Sequence, residues 1–388
     1  MLAMTEVWFW QTVVSPHMQG LASELAERGR TTVYVAEQPM SDDRARQGWT
    51  PPALGAARLE LVPSAESVRA LVDAAPSDSV HLCQGIRGNG LVGVAQQALA
   101  RRRLAQWVVM ETVDDEGVRG MLKRSVYSGL FWHGRKMLAG VLATGRHTPD
   151  WVVARGMPRE RVFPFAYFLP DRPLPPVAKR SEGGPYGPYR IAFGGQLIGR
   201  KRVDLLITAV AQLPSPDVEL VIIGTGPLEH ELRAQADALI PGRVHWLGRL
   251  PIEAVPQELA KADCLVLPSR HDGWGAVVSE ALMVGTPAVC SDACGSSEVV
   301  LASGVGGVFP SGDVHALTTL LAQMVEQGRV TSEQRRELAN WAIALGARAG
   351  AQYLLSILDH VEGRGGRPVP PWRAASRLQQ ELAAMAVS

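Results

Sequence analysis

Short apolar runs alternate along this chain with longer stretches in which apolar residues return at helical spacing, and that alternation sets the expected architecture. In the first half, Val7-Trp8-Phe9-Trp10 reads as a strand, Ser15-Pro16-His17 as a loop, residues 21–28 as a helix closed by Gly29, and residues 32–36 as a second strand. That is a βαβ unit. Further strands are predicted over 59–62, 80–83 and 107–110, with helical patterns such as 90–100 between them. The second half repeats the scheme, with strands over 190–193, 219–223, 244–247 and 264–267 and helices over 204–212 and 228–239. Strands that alternate with helices in this way predict an α/β protein with parallel, doubly wound sheets.

A chain of 388 residues exceeds one ordinary core and suits two domains. Residues 171–189 shift to Pro, Gly and charge, marking a linker between an N-terminal domain (1–170) and a second domain (190–345); residues 346–388 are expected to form C-terminal helices. A second Pro/Gly stretch, 363–371, precedes a short amphipathic helix over 372–385.

Charge is nearly balanced, 39 basic against 38 acidic residues, which excludes a nucleic-acid binder that depends on neutralising phosphates. Cys83, Cys264, Cys290 and Cys294 are few for this length, and most lie in apolar runs, as in proteins of a reducing cytosol. No second Cys/His pair accompanies Cys290 and Cys294 at zinc spacing, so no metal site is expected. The N-terminus lacks a secretory pattern and no apolar run reaches the ~18 residues of a membrane span, so a soluble, cytoplasmic protein is expected.

The most informative stretch follows the strand at 264–267. It runs through Pro268-Ser269-Arg270-His271 into the turn Asp272-Gly273-Trp274-Gly275 and then into a helix carrying Glu280, so two carboxylates stand with seven residues between them. The amides of the first helical turn have no partner within the helix and form an anion site suited to a diphosphate. With Gly285-Thr286-Pro287-Ala288-Val289 and Gly295-Ser296-Ser297-Glu298-Val299-Val300, this pattern resembles the donor-site signature of glycosyltransferase family 4, the retaining group 1 enzymes of GT-B fold. The resemblance covers residues 191–300 and implies two Rossmann-like domains facing across a cleft, with the nucleotide sugar on the second.

Residue by residue, the resemblance implies the following roles. Glu280 accepts hydrogen bonds from the donor ribose, and Asp272, where relatives usually carry Glu, contacts the transferred sugar. Gly275, Ala276 and Val277 hold the leaving diphosphate through backbone amides. Gly194-Gly195-Gln196-Leu197-Ile198-Gly199-Arg200-Lys201 looks like the phosphate loop, with Gly195, Gln196 and Lys201 at the diphosphate. Gln196 stands where the family has Arg, which leaves Lys201 as the main cation, helped by Arg200 or Arg202. Gly224 and Gly226 imitate a dinucleotide turn, but Glu229 occupies the place of the third glycine, so the segment fits the family's nucleoside loop instead, with Arg249 and Leu250. His17 and Gly20 after the first strand, Glu111 at the end of another, and Trp274 are candidates for the acceptor or the donor sugar.

No metal or other cofactor is implied beyond the nucleotide diphosphate sugar. Catalytic work falls to Asp272, Glu280 and Lys201. The expected function is retaining transfer of a hexose-like unit to a glycan or glycolipid, as in cell-surface polysaccharide synthesis. The alternatives are a nucleotide-sugar epimerase or hydrolase of the same fold, and a catalytically silent sugar-nucleotide-binding protein. Acceptor choice is assigned to loops at 44–52 and 111–120. Residues 118–140 mix cations with apolar side chains, as in a segment that lies on an anionic bilayer at the inner face of the membrane; an exposed helix on the N-terminal sheet is the alternative.

Overall fold

A computed structural model describes residues 6–40, 50–171 and 187–376. Most of the expected linker, the loop at 44–49 and residues 377–385 of the C-terminal amphipathic pattern lie outside the described residues. The chain divides into two compact units, Met1–Asp171 with Leu345–Pro371, and Arg172–Ala344 with Trp372–Ser388. Each is built on its own parallel sheet, the α/β architecture that the alternation of strands and helices predicts.

Among the described residues the first unit holds seven strands: β1 (Val7–Val13), β2 (Thr32–Gln38), β3 (Arg58–Leu61), β4 (Val80–Gln84), β5 (Ala105–Glu111), β6 (Leu138–Thr144) and β7 (Val162–Phe165), in the order β3-β2-β1-β4-β5-β6-β7. β1 lies between β2 and β4, with Val7 opposite both Thr32 and Val80, and its apolar side chains are buried, as a strand covered on two faces requires. α1 (Pro16–Glu27) begins earlier than the loop expected at residues 15–17. Proline at the first helical position has no amide to leave unpaired, and the Ser15 side chain accepts the His17 N–H as a cap.

The remaining helices of this unit are α2 (Ala65–Ala74), α3 (Gly90–Arg102), α4 (Gly117–Gly134), α5 (Thr148–Val153) and, after the second unit, α13 (Ala347–Val361). β6 is not legible as a strand in the sequence because Ala and Gly dilute its apolar pattern, and β7 is short and carries Pro164. Gly140 in β6 is required, since a side chain there would collide with the Trp107 ring. The C-terminal segment is not a separate appendage. Leu169 and Leu345–Ala347 exchange backbone hydrogen bonds of 3.1 and 2.8 Å, and the Tyr353 hydroxyl donates to the Pro164 carbonyl at 3.0 Å. Trp372 then joins the second unit, fully buried, with its indole N–H on Glu298 Oε1 at 3.0 Å.

The second unit contains β8 (Tyr189–Gly194), β9 (Val218–Ile223), β10 (Val244–Gly248), β11 (Cys264–Leu267), β12 (Ala288–Ser291) and β13 (Gly306–Phe309), ordered β10-β9-β8-β11-β12-β13. Among the described residues its helices include α6 (Val203–Ala211), α7 (Glu229–Leu239), α8 (Val255–Ala260), α9 (Ala276–Met283), α10 (Ser297–Ser303), α11 (Val314–Gln327) and α12 (Ser332–Ala342). The strand order reverses between β8 and β11, which pair directly (Cys264 with Ile191, Leu265 with Ala192). In an open parallel sheet, the crevice beyond the strand C-termini at such a switch point is where ligands bind.

A buried histidine marks the core of the first unit. His81 on β4 accepts the Trp10 indole N–H at Nδ1 (3.0 Å), and its Nε2 lies 2.8 Å from Ser79 Oγ. Burial, reinforced by the charge of Arg102, lowers its pKa from 6.5 to about 3. Between those two values the unfolded chain binds a proton that the folded chain refuses, so stability is full above 6.5 and falls as pH drops toward 3. One such group gives a slope of up to about 1.4 kcal/mol per pH unit. Denaturant titrations across this range are expected to show that loss, and His81→Asn should flatten it while lowering stability at neutral pH.

Candidate functional site

The switch point places two loops side by side. After β11 the chain turns through residues 268–275 and enters α9. Gly275, the residue before the helix, has φ +86°, and a Cβ there would stand 2.6 Å from Leu267 Cδ2, so the turn requires glycine. The turn is clamped by the segment before α10. Asp272 N–H donates to the Ala293 carbonyl at 3.2 Å, Gly295 N–H to the Asp272 carbonyl at 2.9 Å, and Ser296 N–H to the Trp274 carbonyl at 2.8 Å. The segment 295–300 therefore serves the site through its backbone. Trp274, a candidate for sugar contact, is only 1% exposed; its N–H donates to Ser279 Oγ at 3.1 Å and its ring lies 6.4 Å from that of Trp372. The indole braces the turn from inside the unit.

After β8, two glycines let the phosphate-loop candidate approach this turn. A Cβ on Gly194 would fall 2.7 Å from Val277 Cγ2 in the first turn of α9, and one on Gly195 would stand 3.6 Å from Lys201 Cε. Lys201 ends the short 3-10 turn Gly199–Lys201, and Arg202 beyond it adopts the left-handed conformation with φ +53°. The outcome is a direct ion pair: Lys201 Nζ lies 2.5 Å from Asp272 Oδ2, with the two side chains 13% and 11% exposed. Ser269, fully buried, adds its hydroxyl 3.4 Å from the same oxygen. Ser269 belongs to the signature stretch, but nothing in the order of residues tells that its hydroxyl turns back on Asp272.

The neighbouring cations have other work. Arg200 donates to the His271 carbonyl at 2.8 Å, and Arg270 N–H donates to the Arg200 carbonyl at 2.8 Å, stitching the two loops together. Arg202 forks onto Asp204 at 3.1–3.2 Å. Gln196 is exposed at the rim. Glu280 lies half-buried one turn into α9, on the helix that starts with Ala276 and Val277.

The nucleoside-loop candidates close onto the same strand ends. Leu197 N–H donates to the Thr225 carbonyl at 3.0 Å, Leu228 N–H to the Leu197 carbonyl at 3.1 Å, and Gly224 N–H to the Gly248 carbonyl at 2.7 Å. A Cβ on Gly226 would collide with the Leu197 backbone, so this glycine serves close packing of two loops. Exposed Arg249 donates to Thr225 Oγ1 at 3.2 Å, and Leu250 beside it is half-buried.

The other candidates belong to the first unit. His17 sits in the first turn of α1, its ring stacked 4.9 Å from Tyr167, and Gly20 gives α1 room against Pro170, whose nitrogen would be 3.0 Å from a Cβ there. Glu111 ends β5, half-buried. His17 follows β1 and Glu111 ends β5, so both lie at the C-terminal edge of that sheet, beyond strands separated by β4. Among the described residues, no group of three His, Cys, Asp or Glu is arranged to hold a metal ion.

The family model of group 1 glycosyl transferases matches residues 177–344. The chain is 31% identical over 210 residues to a GDP-mannose-dependent alpha-(1-6)-phosphatidylinositol monomannoside mannosyltransferase of Mycolicibacterium smegmatis, an alignment covering 52% of this chain and 49% of that protein. It is 28% identical over 316 residues to a GDP-mannose-dependent alpha-mannosyltransferase of Mycobacterium tuberculosis, covering 79% and 78%. The chain thus spans about half the length of the first of these relatives. The crystal structure of Anabaena Alr3699/HepE in complex with UDP superposes with a TM-score of 0.71 over 92% of this chain and 100% of that one, at 16% identity, a likeness of fold.

The turn at Gly275 gives a direct test of the site's architecture. Gly275→Ala should cost about 1–3 kcal/mol in denaturant unfolding, from the left-handed backbone and the contact with Leu267. Gly129→Ala, in α4 with open space around it, should be neutral or stabilising. Equal behaviour of the two variants would mean that the turn is not constrained as described.

Proposed function

We propose, from the match of residues 177–344 to the family model of group 1 glycosyl transferases, that this chain is a retaining glycosyltransferase that moves a hexose-like unit from a nucleotide diphosphate sugar to a glycan or glycolipid. The observation that carries the reading is the meeting of Lys201 and Asp272 beside the N-terminus of α9 at the strand-order switch. A diphosphate placed there meets a point charge from Lys201 and backbone amides of residues 275–277, and Glu280 on the same helix is one turn away for the ribose. Charge-assisted hydrogen bonds of this kind are stronger than neutral ones.

As the bond between the sugar's anomeric carbon and the diphosphate oxygen breaks, negative charge grows on the diphosphate, where fixed dipoles and the Lys201 ammonium stabilise it. The acceptor hydroxyl oxygen bonds to the anomeric carbon on the face the diphosphate leaves. Its proton passes to a diphosphate oxygen, so retention proceeds without a protein nucleophile or a metal. Transfer is favoured over epimerase, hydrolase or silent binding roles because the relatives named above are transferases. GDP-mannose, the donor in their names, and UDP-glucose are the first donors to test.

The acceptor side draws on α4. Val118, Met121, Leu122, Val126 and Trp132 are exposed and recur at helical spacing on one face, opposite the buried Gly120, Tyr127 and Phe131. Arg119 and Lys136 are exposed nearby, and the Arg135 guanidinium lies 3.8 Å from the centre of the Trp132 ring. Lys123 and Arg124 instead donate to the backbone carbonyls of Asp114 and Asp115. No described helix is long and apolar enough to cross a membrane. An apolar face bordered by cations suits a helix lying on an anionic bilayer, at the cytoplasmic face where a lipid-linked acceptor is presented.

Thermal-shift titration with UDP, GDP, ADP and their sugars is expected to raise the midpoint for one nucleotide family. Lys201→Ala should abolish most of that shift and of turnover, and Glu280→Gln should weaken nucleotide and nucleotide sugar alike by about 1–3 kcal/mol. Release of free nucleoside diphosphate without an acceptor would favour the hydrolase or epimerase, and the absence of any turnover would favour the silent binder.

For the membrane face, sedimentation with anionic liposomes should retain the protein in a salt-sensitive way. The pair Leu122→Asp and Trp132→Asp should abolish retention without altering nucleotide binding. Equal sedimentation with neutral and anionic vesicles, or none with either, rejects this part of the reading.

A further inference from the structure

We propose that the Lys201–Asp272 ion pair discriminates an intact sugar donor from the bare nucleoside diphosphate that remains after transfer. The inference rests on the donor-site reading above and concerns what the pair does to the two ligands. Lys201 Nζ and Asp272 Oδ2 are 2.5 Å apart and nearly enclosed, so each supplies the other's main counter-charge when the site holds no ligand. The approach to the ammonium from the β8 loop is lined by Gly195, whose missing side chain would stand 3.8 Å from Nζ. A diphosphate arriving on that side recruits the ammonium away from Asp272.

Asp272 is unable to follow. Its N–H is tied to Ala293 and its carbonyl to Gly295, and aspartate has one methylene with which to swing its carboxylate aside. Once Lys201 turns to phosphate, the carboxylate keeps, among the described residues, only the Ser269 hydroxyl at 3.4 Å, near the outer limit of a hydrogen bond. It also faces a second anion. An enclosed charge deprived of its partner is costly. A nucleotide sugar offsets that cost, because sugar hydroxyls donate to the carboxylate as the cation leaves. A bare diphosphate brings no such donor. The pair therefore opposes product retention and favours the donor, although the terminal phosphate of the bare diphosphate carries the greater negative charge.

The experiment is titration calorimetry on the full chain with inorganic pyrophosphate, UDP, GDP, UDP-glucose and GDP-mannose. It compares wild type, Asp272→Asn and Asp272→Ser, each with and without Lys201→Gln. Wild type is expected to bind the nucleotide sugar more tightly than its nucleotide. Both neutral substitutions at 272 should tighten pyrophosphate and the bare nucleotide about tenfold, by removing a like charge next to the phosphate, and erode the preference for the sugar by a similar factor. With Lys201→Gln present, neutralising Asp272 should tighten binding much less, since the competition for the ammonium is gone. Unchanged or weaker binding of pyrophosphate and nucleotide in both 272 variants would overturn the proposal while leaving the donor site intact. Failure of every nucleotide and nucleotide sugar to bind wild type would overturn the donor-site reading itself, and the discriminator with it. Thermal midpoints of the variants separate these outcomes from misfolding, and Asp272→Ser provides a second neutral variant if Asp272→Asn does not fold.

Discussion

The pairing of β8 with β11 is the constraint on which the candidate site depends. These strands are far apart in sequence, and only their adjacency at the point where the strand order reverses puts the 194–201 loop against the 268–275 turn. Everything chemical follows from that adjacency: Gly194 can admit Val277, Lys201 can reach Asp272, and the stitching between Arg200, Arg270 and His271 holds the loops at that separation. A parallel sheet delivers its strand C-termini to one edge, so the loops after β8, β9, β10, β11 and β12 converge there without any further device.

Rigidity at this edge is supplied mainly by backbone. The turn at 272–275 is held by hydrogen bonds to residues 293–296, and Trp274 is locked beneath it by Ser279 and by Trp372, which the C-terminal segment brings into this unit. A site meant to stabilise charge as it develops gains from groups that need no rearrangement, and amides at a braced helix start meet that requirement better than long side chains would.

Legibility in the sequence divides along physical lines. β9 and β11 were evident because unbroken β-branched and apolar runs end in turn residues, and the spacing of Asp272 and Glu280 was evident because it lies within one strand-turn-helix. β6 and β13 were not, since Ala and Gly dilute the pattern where a neighbouring ring or strand needs the space. Contacts between distant segments were also hidden. The ion pair joins residues 71 apart, and the His81–Trp10 hydrogen bond likewise spans 71. Trp274 shows the limit most clearly: its position beside the turn was readable, but the direction of its ring depends on α9 and on Trp372.

The two departures from the family pattern bear on each other. Gln196 removes a cation from the proposed phosphate loop, and Asp272 keeps its negative charge close to the remaining one. A longer glutamate at 272 would let the carboxylate move with its ligand; an aspartate anchored through both its N–H and its carbonyl leaves the charge where Lys201 must leave it behind. Under the proposed reading, one ammonium is shared between a fixed carboxylate and an incoming diphosphate, and affinity for the diphosphate alone is held down. The additional binding energy must then come from the sugar and the ribose. Under the proposed reaction, that arrangement suits turnover, because the group lost in transfer is the one that made binding favourable.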